Sequence, residues 1–169
     1  MPTFQERNMT FTFPEDWYPI RYEQSQTHVE KMMPLQNTHA VDFLCCHQGR
    51  LILIEAKRFT ERPIENVEHL VNEIAGQFKD TLCGIALCHV RSEAAMKLYS
   101  DALLPQQPHE HHKLEVFLEI QNETSLLPKA TIQTQVLQSL RTKFVRLGFA
   151  LRLLDSTRMR NHPWTVEVH

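Results

Sequence analysis

The stretch that decides the reading is Val41-Asp-Phe-Leu-Cys-Cys-His-Gln-Gly-Arg-Leu-Ile-Leu-Ile-Glu-Ala-Lys57. Two apolar runs, Val41 to His47 and Arg50 to Lys57, flank Gln48-Gly49. A two-residue link ending in glycine between such runs predicts a β-hairpin. With that turn and no bulge, His47 faces Arg50, paired residue numbers sum to 97, and Asp42 lies directly across from Glu55. Opposed residues on neighbouring strands hold their Cβ atoms about 5 Å apart on one face. Side chains alternate along a strand, so Lys57 points the same way as Glu55, with Ala56 opposite.

Two facing carboxylates repel and raise each other's pKa. A divalent cation or the Lys57 ammonium would relieve the repulsion. Oxygen-only ligands favour a hard ion, Mg²⁺ or Mn²⁺. Such an ion could polarise a phosphate and bind a water, while Lys57 oriented that water or offset developing charge. The alternative is a salt-bridged patch on a solvated sheet, where exposed pairs contribute little. Against it, Ile52, Ile54 and Ala56 on one side and Leu51 and Leu53 on the other make the second strand apolar on both faces. A charged end on a strand buried on both sides needs a reason.

Outward from the hairpin, the pattern is mixed α/β. Met9 to Phe13 alternates and reads as a strand before Pro14. Tyr22, Gln26, Val29 and Met33 share one helical face, predicting a short helix from Pro19 to Met33. Thr60 and Pro63 signal a helix start. Val67, Val71, Ile74, Phe78, Leu82 and Ile85 then mark a long helix from Ile64 to Cys88, with Gly84 as a point of interruption. Ser92 caps a helix from Glu93 to Leu103. Leu114 to Ile120 is a strand. Ile132, Val136, Leu140, Phe144 and Leu147 mark a helix stopping at Gly148. Phe149 to Leu154 and Trp164 to Val168 are further strands. Pro105-Gln-Gln-Pro108 and the histidines after it read as a surface loop.

At 169 residues the chain has the length of one domain, residues 1–169, large enough to fold without disulfides or metals. The 18 basic and 20 acidic side chains give a net charge of −2. That argues against a cationic nucleic-acid coater but not against a local basic groove. The apolar runs are too short to span a bilayer, and the first residues lack a basic-then-apolar signal. Cys45, Cys46, Cys83 and Cys88 form no CxxC pair and read as small apolar residues suited to a reducing cytoplasm. Residues 1–112 carry 10 basic and 15 acidic side chains, net −5, and residues 113–169 carry 8 and 5, net +3. The late cluster of Arg141, Lys143, Arg146, Arg152, Arg158 and Arg160 is the candidate surface for phosphates, with Arg58 and Arg62 as alternatives beside the hairpin. Solvated helix and strand faces would look the same. His109, His111 and His112 could bind Zn²⁺ or Ni²⁺ adventitiously. There is no phosphate-binding glycine loop and no dinucleotide fingerprint.

Asp42, followed after twelve intervening residues by Glu55-Ala56-Lys57, resembles the D…(D/E)xK signature of the PD-(D/E)xK nuclease superfamily, and in spacing most its resolvase and recombination-type members. The resemblance covers Pro19 to Leu87. Val41 stands where the family's name has proline. The resemblance implies a restriction endonuclease-like mixed sheet with a central antiparallel hairpin flanked by helices. It also implies Mg²⁺- or Mn²⁺-dependent hydrolysis of DNA phosphodiesters. Asp42, Glu55 and the Ala56 carbonyl would ligate the ion, and Lys57 would serve the water or the transition state. Members usually carry an acidic residue on the helix before the hairpin. Glu23 fits that place, and Glu30, seven residues on, fits nearly as well. Some exonuclease-type members place a glutamine on the following helix, where Gln77 stands; a packing amide explains Gln77 equally. The implied partner is nucleic acid, DNA first, with no membrane and with a homodimer or larger complex open. A silent binding module on the same scaffold is the competing expectation.

Overall fold

The computed structural model describes residues 1–35, 38–104, 112–121 and 127–169. The expected loop at Pro105–Pro108, His109 and His111, and the side chain of Arg160, lie outside the described residues. The hairpin forms as read. Strands β4 (Phe43–His47) and β5 (Arg50–Phe59) pair antiparallel, Phe43 with Ile54 through His47 with Arg50. Gln48 (φ 51°) and Gly49 (φ 72°) both take left-handed conformations, as a tight hairpin turn requires.

β5 is the middle strand of a five-stranded mixed sheet. On one side lie β4 and the two-residue β3 (Ile20–Arg21), antiparallel. On the other lie β6 (His112–Ile120) and β7 (Phe149–Leu154), both parallel. Helices cover one face. The longest, α1 (Val67–Val90), is capped by Asn66, whose side chain accepts the His69 N–H at 2.9 Å. Leu70, Val71, Ile74, Phe78 and Ile85 of α1 pack with Leu44, Leu51 and Leu53 of the hairpin. Two more helices, α2 (Lys97–Leu103) and α3 (Lys129–Phe144), complete that layer. Past α3 a short 3₁₀ turn ends at Gly148, φ 78°.

The other face is covered by a second sheet of β1 (Thr3–Glu6), β2 (Met9–Thr12) and β8 (Thr165–Val168), all antiparallel. Phe11, Phe13 and Trp164 pack there against Phe43, Ile52, Ile54 and Phe117. Both faces of β5 are therefore buried, as its continuous apolar run demanded.

Three expectations change. The helix over Pro19–Met33 is instead β3, a 3₁₀ turn at Tyr22–Gln24 and a π turn at His28–Met32. The Tyr22 N–H donates to the Asp42 carbonyl at 3.0 Å, and Ser25 is extended, so no continuous helix can run through. Ser92 caps nothing: its φ is 54°, and a 3₁₀ turn at Ala94–Met96 precedes α2. Gly84 does not interrupt α1; it admits the Tyr22 ring, whose hydroxyl a Cβ at Gly84 would overlap. No helix among the described residues is long and apolar enough to cross a membrane.

Candidate active site

The pairs Leu44–Leu53 and Cys46–Leu51 bury their side chains toward the helices, and Asp42 and Glu55 continue that row at its end. Asp42 sits one residue before β4. The chain leaves the sheet behind it, because the Val41 N–H donates to Thr81 Oγ1 at 3.1 Å. Ala56 on β5 consequently lacks a backbone partner at that edge, and its N–H donates to Asp42 Oδ2 at 2.7 Å. A residue's N–H and C=O leave a strand on the same side, so the Ala56 carbonyl looks toward the same edge as the Asp42 carboxylate.

Glu55 is 1 % exposed and Asp42 9 %. Gln77 of α1 donates through Nε2 to Glu55 Oε1 at 2.8 Å, and Lys57 Nζ lies 3.0 Å from the same oxygen. Lys57 also donates to Glu73 Oε1 at 2.7 Å. The second oxygen, Glu55 Oε2, is buried with no hydrogen-bond partner, as is Gln77 Oε1. A buried carboxylate oxygen without a donor is costly. An oxygen-seeking cation is the kind of partner that would remove that cost.

Burial drives both carboxyls well above the usual carboxylate range. For Asp42 the Ala56 N–H partly offsets it, and the charges of Glu6 and Glu23 add to it. For Glu55 the Asp42 charge adds to the desolvation, and Lys57 and Gln77 oppose it. Burial works against the Lys57 ammonium, but Glu55 and Glu73 outweigh it and raise its pKa.

Of the two candidates for a further acid, Glu23 lies at the site and Glu30 does not. Glu30 accepts from Gln26 Nε2 at 3.1 and 3.0 Å on the surface. Carboxylate oxygens of Glu23, Asp42 and Glu6 lie within 4.8 Å of one another. Glu6, at the end of β1, is the residue that sequence reasoning missed. It stands 36 positions before Asp42 in a strand with one aromatic, and its approach depends on the fold of the second sheet. Arg21 bridges the cluster, its Nη2 donating to Glu6 Oε2 and, at 3.2 Å, to Glu23 Oε1.

The basic candidates divide. Arg58 Nη1 donates to the carbonyls of Asn8 and His169 at 3.1 and 3.0 Å, pinning the β1–β2 turn next to Glu6. Arg62 lines a cleft of about 620 Å³ together with Phe59, Asn66, His69 and Glu73, so the cleft opens beside the partner of Lys57. Arg141 and Lys143 are exposed on α3 and Arg146 on the turn after it; Lys143 faces Glu68 and Asn72 of α1 across a smaller cleft. Arg152 is exposed on β7. Arg158 is exposed, and its Nη1 donates to the Leu153 carbonyl at 3.5 Å. The structure thus brings Asp42, Glu55, Lys57, Gln77 and Glu23 together, and leaves the late basic residues on another flank of α1.

No family model, no curated protein and no solved structure matches the chain.

Proposed function

We propose that this protein is a divalent-metal-dependent nuclease of the PD-(D/E)xK type, built on a restriction endonuclease-like sheet and hydrolysing DNA phosphodiester bonds. The observation that carries the reading is the Asp42–Glu55–Lys57 group, its carboxylates buried and its lysine half-buried, in which Glu55 keeps one oxygen without a donor. Asp42, Glu55 and the Ala56 carbonyl would hold Mg²⁺ or Mn²⁺. When bound, such an ion polarises a phosphate and acidifies water. Gln77 fixes the Glu55 carboxylate in place through Oε1. Lys57 presents a fixed positive charge beside Glu55, where charge develops on a scissile phosphate. Glu73 holds that ammonium from the other side. Arg62 and Phe59 in the adjoining cleft offer a cation and a ring to a nucleotide strand. The four cysteines are free thiols, consistent with a reducing compartment such as the cytoplasm.

The test is cleavage of single-stranded, duplex and branched DNA with Mg²⁺ or Mn²⁺. Lys57→Ala should retain ion binding and lose cleavage, because the lost interaction belongs mainly to the transition state. Glu55→Ala should lose both. Wild type that binds DNA and cuts none of the substrates sinks the reading. A second reading, a silent nucleic-acid or protein binding module, draws support from Lys57 being held by two glutamates, and that outcome would establish it.

A further inference from the structure

We propose that Arg21 is a resident cation of the active site: its guanidinium occupies the place that a second divalent ion would take among Glu6, Glu23 and Asp42, so that the site holds one metal ion rather than two. This deepens the nuclease reading and rests on it for the ion at Asp42 and Glu55, but not for the arginine.

Three carboxylates with oxygens within 4.8 Å of one another cannot all stay ionised without positive charge between them. Arg21 supplies it to Glu6 and Glu23 through Nη2. The guanidinium is positioned by backbone, not by chance contact. Arg21 ends β3, where it pairs with Phe43, and Asp42 is the residue just before Phe43. The fork of a guanidinium suits carboxylates and its charge cannot be removed by pH. Glu6 is held for it from the opposite side, since Arg58 grips the Asn8 carbonyl in the turn that follows β1.

The two ends of the site therefore differ. At the Glu6–Glu23 end an arginine donor is in place. At the Asp42–Glu55 end, Glu55 Oε2 is buried and lacks any donor among the described residues. Charge leaves room for an ion at that end. Glu6, Glu23, Asp42, Glu55 and Glu73 stand against Arg21 and Lys57, five negative groups to two positive, a net of −3 that one divalent cation brings to −1.

Manganese binding to the full chain, counted per molecule by calorimetry and by paramagnetic resonance, tests the assignment. Wild type should take up one ion. Arg21→Gln should take up two, should melt lower than wild type in chelator, and should regain most of that loss in Mn²⁺. Arg21→Gln/Glu6→Gln should return to one. Glu6→Gln alone, which keeps the arginine, should still bind one ion, and it decides the matter should Arg21→Gln fail to fold. Two ions in wild type, an unchanged count in Arg21→Gln, or an ion lost in Glu6→Gln overturns the proposal. If wild type binds none and Arg21→Gln gains one, the arginine assignment stands and the nuclease reading falls. If wild type binds one and Arg21→Gln still binds one, the nuclease reading survives and the arginine assignment falls.

Discussion

Asp42 shows how one residue links stability to occupancy. Burial raises its carboxyl and that of Glu55, with the charges of Glu6 and Glu23 adding to the rise at Asp42 and the charge of Asp42 adding to the rise at Glu55. A carboxyl whose pKa is higher in the folded state stabilises the fold fully below its unfolded value, about 4. That stability is withdrawn as pH climbs toward neutrality. In chelator the wild type should accordingly lose stability from about pH 4 upward, each unit of upward shift removing about 1.4 kcal/mol. Asp42→Asn keeps an acceptor for the Ala56 N–H and abolishes the repulsion. It should melt higher than wild type at pH 8 in chelator, and lose the upward shift that millimolar Mn²⁺ gives wild type. Thermal unfolding at several pH values, with and without Mn²⁺, checks both expectations. An apo wild type insensitive to pH between 5 and 8 would contradict them. The pairing behind this behaviour was legible in the chain, because a two-residue glycine-ended turn fixes the register that sets Leu44 against Leu53. Glu6 was not legible: nothing in Thr3–Glu6 points to Asp42, and its neighbour Arg21 reads as an ordinary surface arginine until β3 pairs with β4.

At the scale of elements, periodicity served the helices that bury a whole row and misled where Tyr22 alone of the row is buried. In the long row of α1, Val71, Ile74, Phe78 and Ile85 are core and Val67 and Leu82 pack partly buried against it; in α3, Ile132, Val136, Leu140 and Phe144 are core, whereas Leu147 past its end is exposed. The row that suggested a helix from Pro19 to Met33 includes Val29 and Met33, which are 47 % and 55 % exposed. An apolar stripe without a partner surface does not hold a helix together. Glycine 84 shows the opposite error of local reasoning. In an open helix, alanine in place of glycine stabilises by up to about 1 kcal/mol. Here the new Cβ would overlap the buried Tyr22 hydroxyl and press Met32 at 3.2 Å. Gly84→Ala should destabilise by about 1–3 kcal/mol. The Tyr22 hydroxyl has no hydrogen-bond partner. Tyr22→Phe should therefore cost little alone and should restore most of the loss in the double variant, a coupling readable from denaturant midpoints. Additive effects would show that helix and ring are not in contact as described.

For the whole molecule, the distribution of charge separates binding from chemistry. Arg141, Lys143 and Arg146 lie at the end of α3, away from the Asp42–Glu55 pair, and none of them touches a carboxylate of that pair. Arg141→Ala with Lys143→Ala should lower the slope of log affinity for DNA against log salt by about 1–2. The rate of cutting at saturating DNA should stay close to wild type; a lost rate with an unchanged slope would move these residues into the chemistry. The two sheets carry a consequence of another kind. Met9 pairs with Val168, Thr10 with Glu167 and Phe11 with Val166, so a strand completes its ladder with one made about 155 residues later. At roughly 5–20 residues per second, a ribosome would keep β2 waiting on the order of 10–30 s for that partner. Through that interval the face bearing Phe11, Phe13 and Phe43 lacks the ring of Trp164 that packs on it. A nascent chain with three such rings uncovered should bind holdase chaperones until β8 has been made.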